Sequence, residues 1–278
     1  MENKEEPVCR YDLKNRVALV TGAAGAIGSG ICRGLLEANC RVAVTDLSGP
    51  NLDGLVSELK LKYGDRVRGE VLDVTDQESV SAGIAETVRV WGSCDIAVIN
   101  AGVAMVSSLK EMDLTAFQRL ERINIEGTLL LFRELAKHFE RQSTGGDIIL
   151  ISTKNVFAPG AGFGAYSATK AASHQLARIA SLELAPLGVR VNMVAPDAVF
   201  SDGNRKSGLW QAVGPDRMKA RGLDEKGLEE YYQSRNLLKA RVTADHVANA
   251  VLFFVSRQTP TTGATIPVDG GLPDATPR

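Results

Sequence analysis

The chain is expected to fold as a single α/β domain, a doubly wound parallel sheet with helices on both faces. Three observations lead there. Short β-rich runs, apolar nearly throughout, alternate with helical stretches along the whole chain. Apolar strands of that kind belong to a sheet covered on both sides, and their alternation with helices implies parallel order. A glycine cluster, Thr21-Gly22-Ala23-Ala24-Gly25-Ala26-Ile27-Gly28, stands between the first strand-like run and the first helical one. Finally, 278 residues suit one large domain with a substantial core.

The elements follow in order. Residues 16–21 form a first strand that ends in the glycine turn. A helix over about 27–38 carries Ile27, Ile31, Leu35 and Leu36 on one side. A second strand covers 41–45, and further strands are expected at 67–71, 95–99, 147–151, 189–194 and 264–268. Helices fill the gaps, with a long one near 114–140 and another from Tyr166 to about Leu184. The segment 200–236 breaks the rhythm. It is rich in Gly, Lys and Arg, carries Trp210, Tyr231 and Tyr232, and shows no strand pattern. Insertions of that length serve as lids or binding loops, or run as plain surface helices. Residues 1–12 are charged, contain Pro7 and lack the apolar core of a secretion signal. They read as a flexible arm before a domain spanning 13–278, and a cytoplasmic location is expected.

Composition narrows the partners. A formal net charge of −1 gives no reason to expect nucleic acid or an anionic membrane surface. No apolar run reaches the roughly 18 residues of a membrane span. Cys9, Cys32, Cys40 and Cys94 fit no zinc or redox spacing and read as buried, reduced thiols. His138, His174 and His246 are scattered, so no catalytic metal is expected.

The glycine turn points to a dinucleotide. Glycines let a pyrophosphate approach the backbone, and the helix start behind them offers unpaired N–H groups and a positive dipole end. Gly22, Ala24, Gly25, Ala26, Ile27 and Gly28 are the candidate contacts. Asp46 ends the second strand, where an acid binds a ribose 2′-hydroxyl and repels a 2′-phosphate. No Arg or Lys lies in the glycine turn or directly after Asp46, so NAD is expected rather than NADP. Asp73 and Val74 fall at the adenine position, and Asn100-Ala101-Gly102 forms a small loop under the cofactor. Leu47, Pro196, Ala198 and Val199 complete the expected cofactor set.

Tyr166 and Lys170 carry the chemistry. Four residues apart on a helix, they share one face. A phenol is a poor base at neutral pH, and a neighbouring ammonium or a cationic nicotinamide favours its phenolate. Lowering its pKa by roughly 3 units takes about 4 kcal/mol. Such a tyrosine takes the proton of an alcohol as a hydride leaves the same carbon. Lys154, Asn155, Phe163, Asp197 and Trp210 are candidate substrate contacts.

At this point the chain resembles the short-chain dehydrogenase/reductase family over nearly its whole length. The resemblance rests on the glycine turn, Asn100-Ala101-Gly102, Asn124 within Ile123-Asn124-Ile125-Glu126-Gly127, the Tyr166/Lys170 pair, and Thr262-Gly263 through Val268-Asp269-Gly270-Gly271. It implies a Rossmann-like sheet of seven parallel strands and a catalytic tetrad of Asn124, Thr153, Tyr166 and Lys170. In that tetrad Lys170 holds the nicotinamide ribose, Thr153 orients the substrate oxygen and Asn124 anchors a water relay. It also implies a homotetramer or homodimer built on two long helices and the last strand. Two departures stand out. The turn reads TGxxGxxG, with Ala26 where the standard-length branch has its middle glycine. That spacing belongs to a longer, epimerase-like branch, which needs more chain after the Tyr–Lys pair than is present here. Thr153 also replaces the usual serine, keeping its donor and acceptor capacity and adding a methyl. Ser152 beside it should point to the other side of its strand.

A narrower resemblance, in Lys154-Asn155, Ala158-Pro159-Gly160, Pro196-Asp197-Ala198-Val199 and Glu229-Glu230-Tyr231-Tyr232, is to the dehydrogenase half of bifunctional rhamnulose-phosphate aldolase/lactaldehyde dehydrogenases. More loosely the same residues resemble polyol dehydrogenases. The expected activity is reversible hydride transfer between NAD and a small secondary alcohol, polyol or sugar, or hydroxy-aldehyde. A nucleotide-sugar epimerase or dehydratase that retains NAD, and a non-catalytic nucleotide sensor, are the alternatives.

Overall fold

The computed structural model describes residues 11–273. β1 (Val17–Val20) runs into the glycine turn and α1 (Ala26–Glu37). The chain continues through β2 (Arg41–Asp46), α2 (Pro50–Tyr63), β3 (Val67–Val71), α3 (Gln77–Trp91) and β4 (Ile96–Ile99). Next come α4 (Leu114–Leu120), a π-helical stretch at Glu121–Glu126, α5 (Gly127–Gln142), β5 (Gly146–Ile151), α6 (Gly164–Glu183) and β6 (Val189–Pro196). A small hairpin of β7 (Ser201–Asp202) and β8 (Arg205–Lys206) leads to α7 (Gly208–Arg221) and α8 (Glu225–Arg235). The described chain closes with α9 (Ala244–Val255) and β9 (Thr265–Val268).

Seven strands pair in the order β3-β2-β1-β4-β5-β6-β9, all parallel. Successive strand residues point to opposite faces, and the two faces bury separate cores. Ala18 and Val20 join Ile31 and Leu35 of α1 and Val247 and Val251 of α9. Leu19 between them joins Leu131, Leu135 and Phe139 of α5 on the other side. Each large apolar side chain buried this way contributes about 2 kcal/mol. After β1 the chain builds outward to β2 and β3, then returns to place β4 on the other side of β1. That reversal opens a crevice at the carboxyl ends of β1 and β4.

The expected strands are all present. The helix expected over 114–140 is instead interrupted at Glu121–Glu126, where a turn widens around Asn124. The Asn124 carbonyl there accepts hydrogen bonds from the Thr128 and Ser173 hydroxyls, at 2.7 and 2.5 Å. Local propensity carries no mark of this, because the bonds that hold the wide turn come partly from α6. The 200–236 segment, expected to hold no strand, opens with the β7–β8 hairpin. Asp202 fixes that hairpin to α1 by accepting from Ser29 at 2.6 Å and pairing with Arg33.

Of the expected arm, residues 1–10 lie outside the described residues, as does Cys9. Asp12 is tied down, accepting from Asn39 Nδ2 at 3.1 Å, and Tyr11 packs against the core. Cys32, Cys40 and Cys94 are free and buried. Burial pushes all three thiols up, Cys40 to about 12. At the amino ends of the strands, away from the crevice, the buried Asp147 carboxylate pairs with Arg16, Arg190 and Arg257. Arg16 and Arg190 also donate to the Val255 and Phe254 carbonyls that end α9. No helix of the described residues is long and apolar enough to cross a membrane, and none of their His, Cys, Asp and Glu side chains cluster as a metal site.

Candidate active site

A cleft of about 990 Å³ runs along the carboxyl ends of the strands. Its first wall is the glycine turn. Gly22 has a φ of +62°, and a Cβ there would lie 2.7 Å from the Ala101 Cα, so only glycine lets the two loops meet. Asn100 fastens them together, donating from Nδ2 to the Thr21 and Gly22 carbonyls at 3.0 and 2.9 Å. Ala24, Gly25, Ala26, Ile27 and Gly28 follow along the same wall. Ala26, where the family's middle glycine is usual, opens α1 and is buried.

Asp46 and Leu47 line the same end. The Asp46 carboxylate accepts from the Ala24 and Leu47 amides, each at 2.8 Å, which holds a negative charge beside the glycine turn. Asp73 and Val74 line it as well, but the Asp73 carboxylate is engaged within its own turn by Thr75 N and Oγ1 at 2.8 Å. This end fits a nicotinamide dinucleotide: a turn open to a pyrophosphate, a helix start behind it and an acid at the ribose position. Pro196, Ala198 and Val199 also line the cleft.

Thr153, Tyr166 and Lys170 meet in the middle of the cleft. β5 delivers Thr153 and α6 delivers the other two. All three are buried. Lys170 Nζ donates to the Ile151 carbonyl at 2.7 Å. Asn124 lies behind this group rather than on the cleft surface. Its Oδ1 accepts from Val103 N at 3.0 Å, and its Nδ2 donates to Val103 O and to Thr169 Oγ1 at 2.9 and 3.0 Å. A Cβ on Gly102 would sit 3.2 Å from Asn124 Oδ1 and 3.6 Å from Lys170 Nζ, so the bare Gly102 leaves the Asn124 amide and the Lys170 ammonium close together. Ser152 faces away, its hydroxyl hydrogen-bonded to His174 Nδ1 at 2.9 Å.

Sequence spacing implied that the Lys170 ammonium lowers the Tyr166 pKa. The structure corrects this. Burial dominates at both groups and favours their neutral forms. It pushes the Tyr166 hydroxyl up to about 12, opposed only by a hydrogen bond with Thr153. It pulls Lys170 down to about 8. The reason is that side chains on one helix face share a low-dielectric environment as well as a neighbour, and only the neighbour is visible in the spacing.

The far end holds the substrate candidates. Lys154, Asn155, Phe163, Asp197 and Trp210 all line it. Trp210 stacks on Phe200, with centroids 4.5 Å apart, and meets the Tyr232 ring edge-on at 4.9 Å. Asp197 is bound by Arg235 at 2.7 Å. Arg217 and Arg235, from α7 and α8, also line the cleft. Sequence reasoning missed both. They are two among many basic residues of the 200–236 segment, and only packing separates them from the rest.

The short chain dehydrogenase family matches residues 16–212. The chain belongs to the short-chain dehydrogenase family. It is 34% identical over 269 residues to the uncharacterized oxidoreductase YuxG of Bacillus subtilis, covering 96% of this chain. The match spans 39% of YuxG, about two fifths of that protein's length. It is 31% identical over 265 residues to L-xylulose reductase of Caenorhabditis elegans, covering 94% of this chain and 97% of the relative. The solved structure of sorbitol-6-phosphate 2-dehydrogenase SrlD from Erwinia amylovora superposes with a TM-score of 0.83 at 30% identity, covering 91% of this chain and 98% of that one. That coverage fits the standard-length branch of the family, despite the TGxxGxxG turn. The chain is thus an oxidoreductase of CH–OH groups, and its family uses NAD or NADP.

Proposed function

We propose that the chain transfers hydride reversibly between NAD and a small secondary alcohol, polyol or sugar, or hydroxy-aldehyde, with Tyr166 as the proton donor and acceptor. The observation that carries this reading is the single cleft that joins the glycine turn to Thr153, Tyr166 and Lys170. The names of the xylulose and sorbitol-phosphate relatives support a polyol or sugar substrate.

Bound along the glycine turn and Asp46, the dinucleotide supplies the hydride acceptor or donor. Asp46 favours NAD, since its carboxylate would repel a 2′-phosphate. Arg205, which reaches α2 from the hairpin, is already engaged by Glu58 at 3.1 Å. Thr153 holds the substrate oxygen by a hydrogen bond. Tyr166 gives that oxygen a proton in reduction and removes it in oxidation. With its pKa pushed up to about 12, Tyr166 carries its proton at neutral pH, so the hydroxyl needed in reduction is the resident form. Lys170, an ammonium below about 8, supplies positive charge one helical turn away and would hold the nicotinamide ribose. Asn124 fixes the backbone beside Lys170 and would anchor a water relay. α7 and α8 act as the lid of the domain that begins at residue 13.

Exposed Leu129 on α5, and Ile179 and Leu182 on α6, suit assembly into a homodimer or homotetramer through these helices. A cytoplasmic location suits both the dinucleotide and the reduced state of Cys32, Cys40 and Cys94.

The test is NADH formation over a panel of polyols, deoxysugars, lactaldehyde and hydroxy acids, with NAD and NADP in parallel. Turnover should occur with NAD and be lost in Tyr166→Phe, with NAD binding kept. A Tyr166→Phe protein that keeps most of its activity would overturn the assignment.

A further inference from the structure

We propose that the substrate end of the cleft is an anion-binding subsite built on Arg217 and Lys154, so that the physiological alcohol or carbonyl compound carries a phosphate or carboxylate. This rests on the reading that the cleft holds a redox substrate beside Tyr166, and it names the class of that substrate.

Arg217 is only 7% exposed. Its guanidinium lies 4.8 Å over the Phe163 ring, and that ring is 6.1 Å from the Tyr166 ring, so one aromatic ring links the charge to the Tyr166 region of the cleft. Nη1 donates to the Ala161 carbonyl at 3.2 Å, while Nε is buried with no hydrogen-bond partner. Lys154, directly after Thr153, is 9% exposed, and its ammonium donates to the Ala158 carbonyl at 3.0 Å. No carboxylate among the described residues forms an ion pair with either cation. Asp197, the acid that lines this end, is already taken by Arg235. Lys154, Arg217 and Arg235 therefore face Asp197 alone, leaving an excess of positive charge in a buried wall.

A buried charge without a partner is unfavourable and seldom kept without use. Here the two cations flank the space between Thr153 and the lid, where a substrate's remote end would lie. Asp73 and Asp46 belong to the cofactor end, and Lys206 is paired with Glu225 at 2.8 Å on the rim. Burial also pulls the Lys154 pKa down; Asp197 opposes this, Arg235 and Arg217 add to it, and an incoming anion would oppose it further. A neutral polyol could hydrogen-bond here but would leave the charge uncompensated. Both side chains line the cleft, and an Arg guanidinium beside a Lys point charge suits the oxygens of a phosphate or a carboxylate.

Two matched sets of compounds test this: sorbitol, sorbitol 6-phosphate and gluconate, and glycerol, glycerol 3-phosphate and glycerate. NADH formation is measured for each, together with calorimetric binding of the charged members to the Tyr166→Phe protein, which needs no turnover. In at least one set the charged compound should exceed its neutral partner by about 100-fold in kcat/KM, as expected for hydrogen bonds to charged groups. Arg217→Met should cut that ratio at least about tenfold, with Arg217→Lys intermediate if the fork matters. Lys154→Met provides a second variant should Arg217→Met fold poorly. Preference for phosphate over carboxylate, or the reverse, identifies the group.

Equal turnover of neutral and charged members, or a ratio unchanged by both substitutions, overturns the subsite and leaves the redox reading standing. Calorimetric binding of a charged compound that is lost in Arg217→Met, with no NADH formed from any compound, keeps the subsite and overturns the redox reading. Neither binding nor turnover of any charged compound overturns the subsite.

Discussion

Lys170 should make the protein more stable as the solution becomes more alkaline. Its ammonium is buried, its Nζ donates to the Ile151 carbonyl, and burial holds its pKa at about 8 against an ordinary value of 10.5. Between those values the unfolded chain keeps a proton that the folded chain has released. Unfolding then takes up a proton, so stability rises with pH across that window. The 2.5-unit gap corresponds to about 3 kcal/mol at 1.36 kcal/mol per unit. The destabilisation is fully present below about pH 8 and gone above about pH 10.5. Other lysines and tyrosines titrate in the same range, so the informative quantity is a difference. Urea unfolding of the wild type and of Lys170→Met, without added cofactor, should be measured from about pH 7 to 11. The wild type should gain about 3 kcal/mol on the variant over that range. A difference that stays flat would mean that the ammonium is solvated or paired, and would refute the desolvation argument.

Other outcomes follow from named contacts. Carbonyl reduction should be level from about pH 6 to 7.5 and fall above about 8, because the Tyr166 hydroxyl and the Lys170 ammonium are both present only below that point; a pH profile of kcat/KM checks it. Thr153→Ser should keep most of the activity and Thr153→Val should lose about 100-fold in kcat, because the hydroxyl hydrogen-bonds with Tyr166 and is the group proposed to hold the substrate oxygen. Gly22→Ala combines a φ of +62° with a contact of 2.7 Å to the Ala101 backbone, and should destabilise the fold by about 2 kcal/mol or more and weaken NAD binding, as read by thermal unfolding with and without NAD. Asp147→Ala strands three arginines beside a buried site and should cost about 3–5 kcal/mol in urea unfolding.

The sheet was legible because its signals are local. A strand such as Val17–Val20 declares itself by composition, and Gly22 with Gly28 declares the turn that follows. Tyr166 and Lys170 were legible because helical spacing puts them on one face, and the structure brings both into the cleft with Thr153. What escaped depends on contacts between distant segments. The widened turn at Asn124 is held by Ser173 on α6. Arg217 and Arg235 look like any basic residues of the insertion until α7 packs Arg217 over Phe163 and α8 brings Arg235 to Asp197. The trio of arginines on Asp147 comes from three distant stretches of chain, just before β1, within β6 and just after α9. The direction of the Tyr166 shift was misread because burial belongs to the whole fold, whereas Lys170 could be seen four residues away.

The fate of the carbinol hydrogen is the most direct measurement. An alcohol that yields NADH in the panel should be prepared with deuterium on its reacting carbon, and the reduced cofactor examined by mass spectrometry after turnover. Direct hydride transfer with Tyr166 as the proton acceptor gives one deuterium per NADH with the wild type and no NADH with Tyr166→Phe. NADH formed without deuterium, or labelled NADH formed at the wild-type rate by Tyr166→Phe, would contradict it.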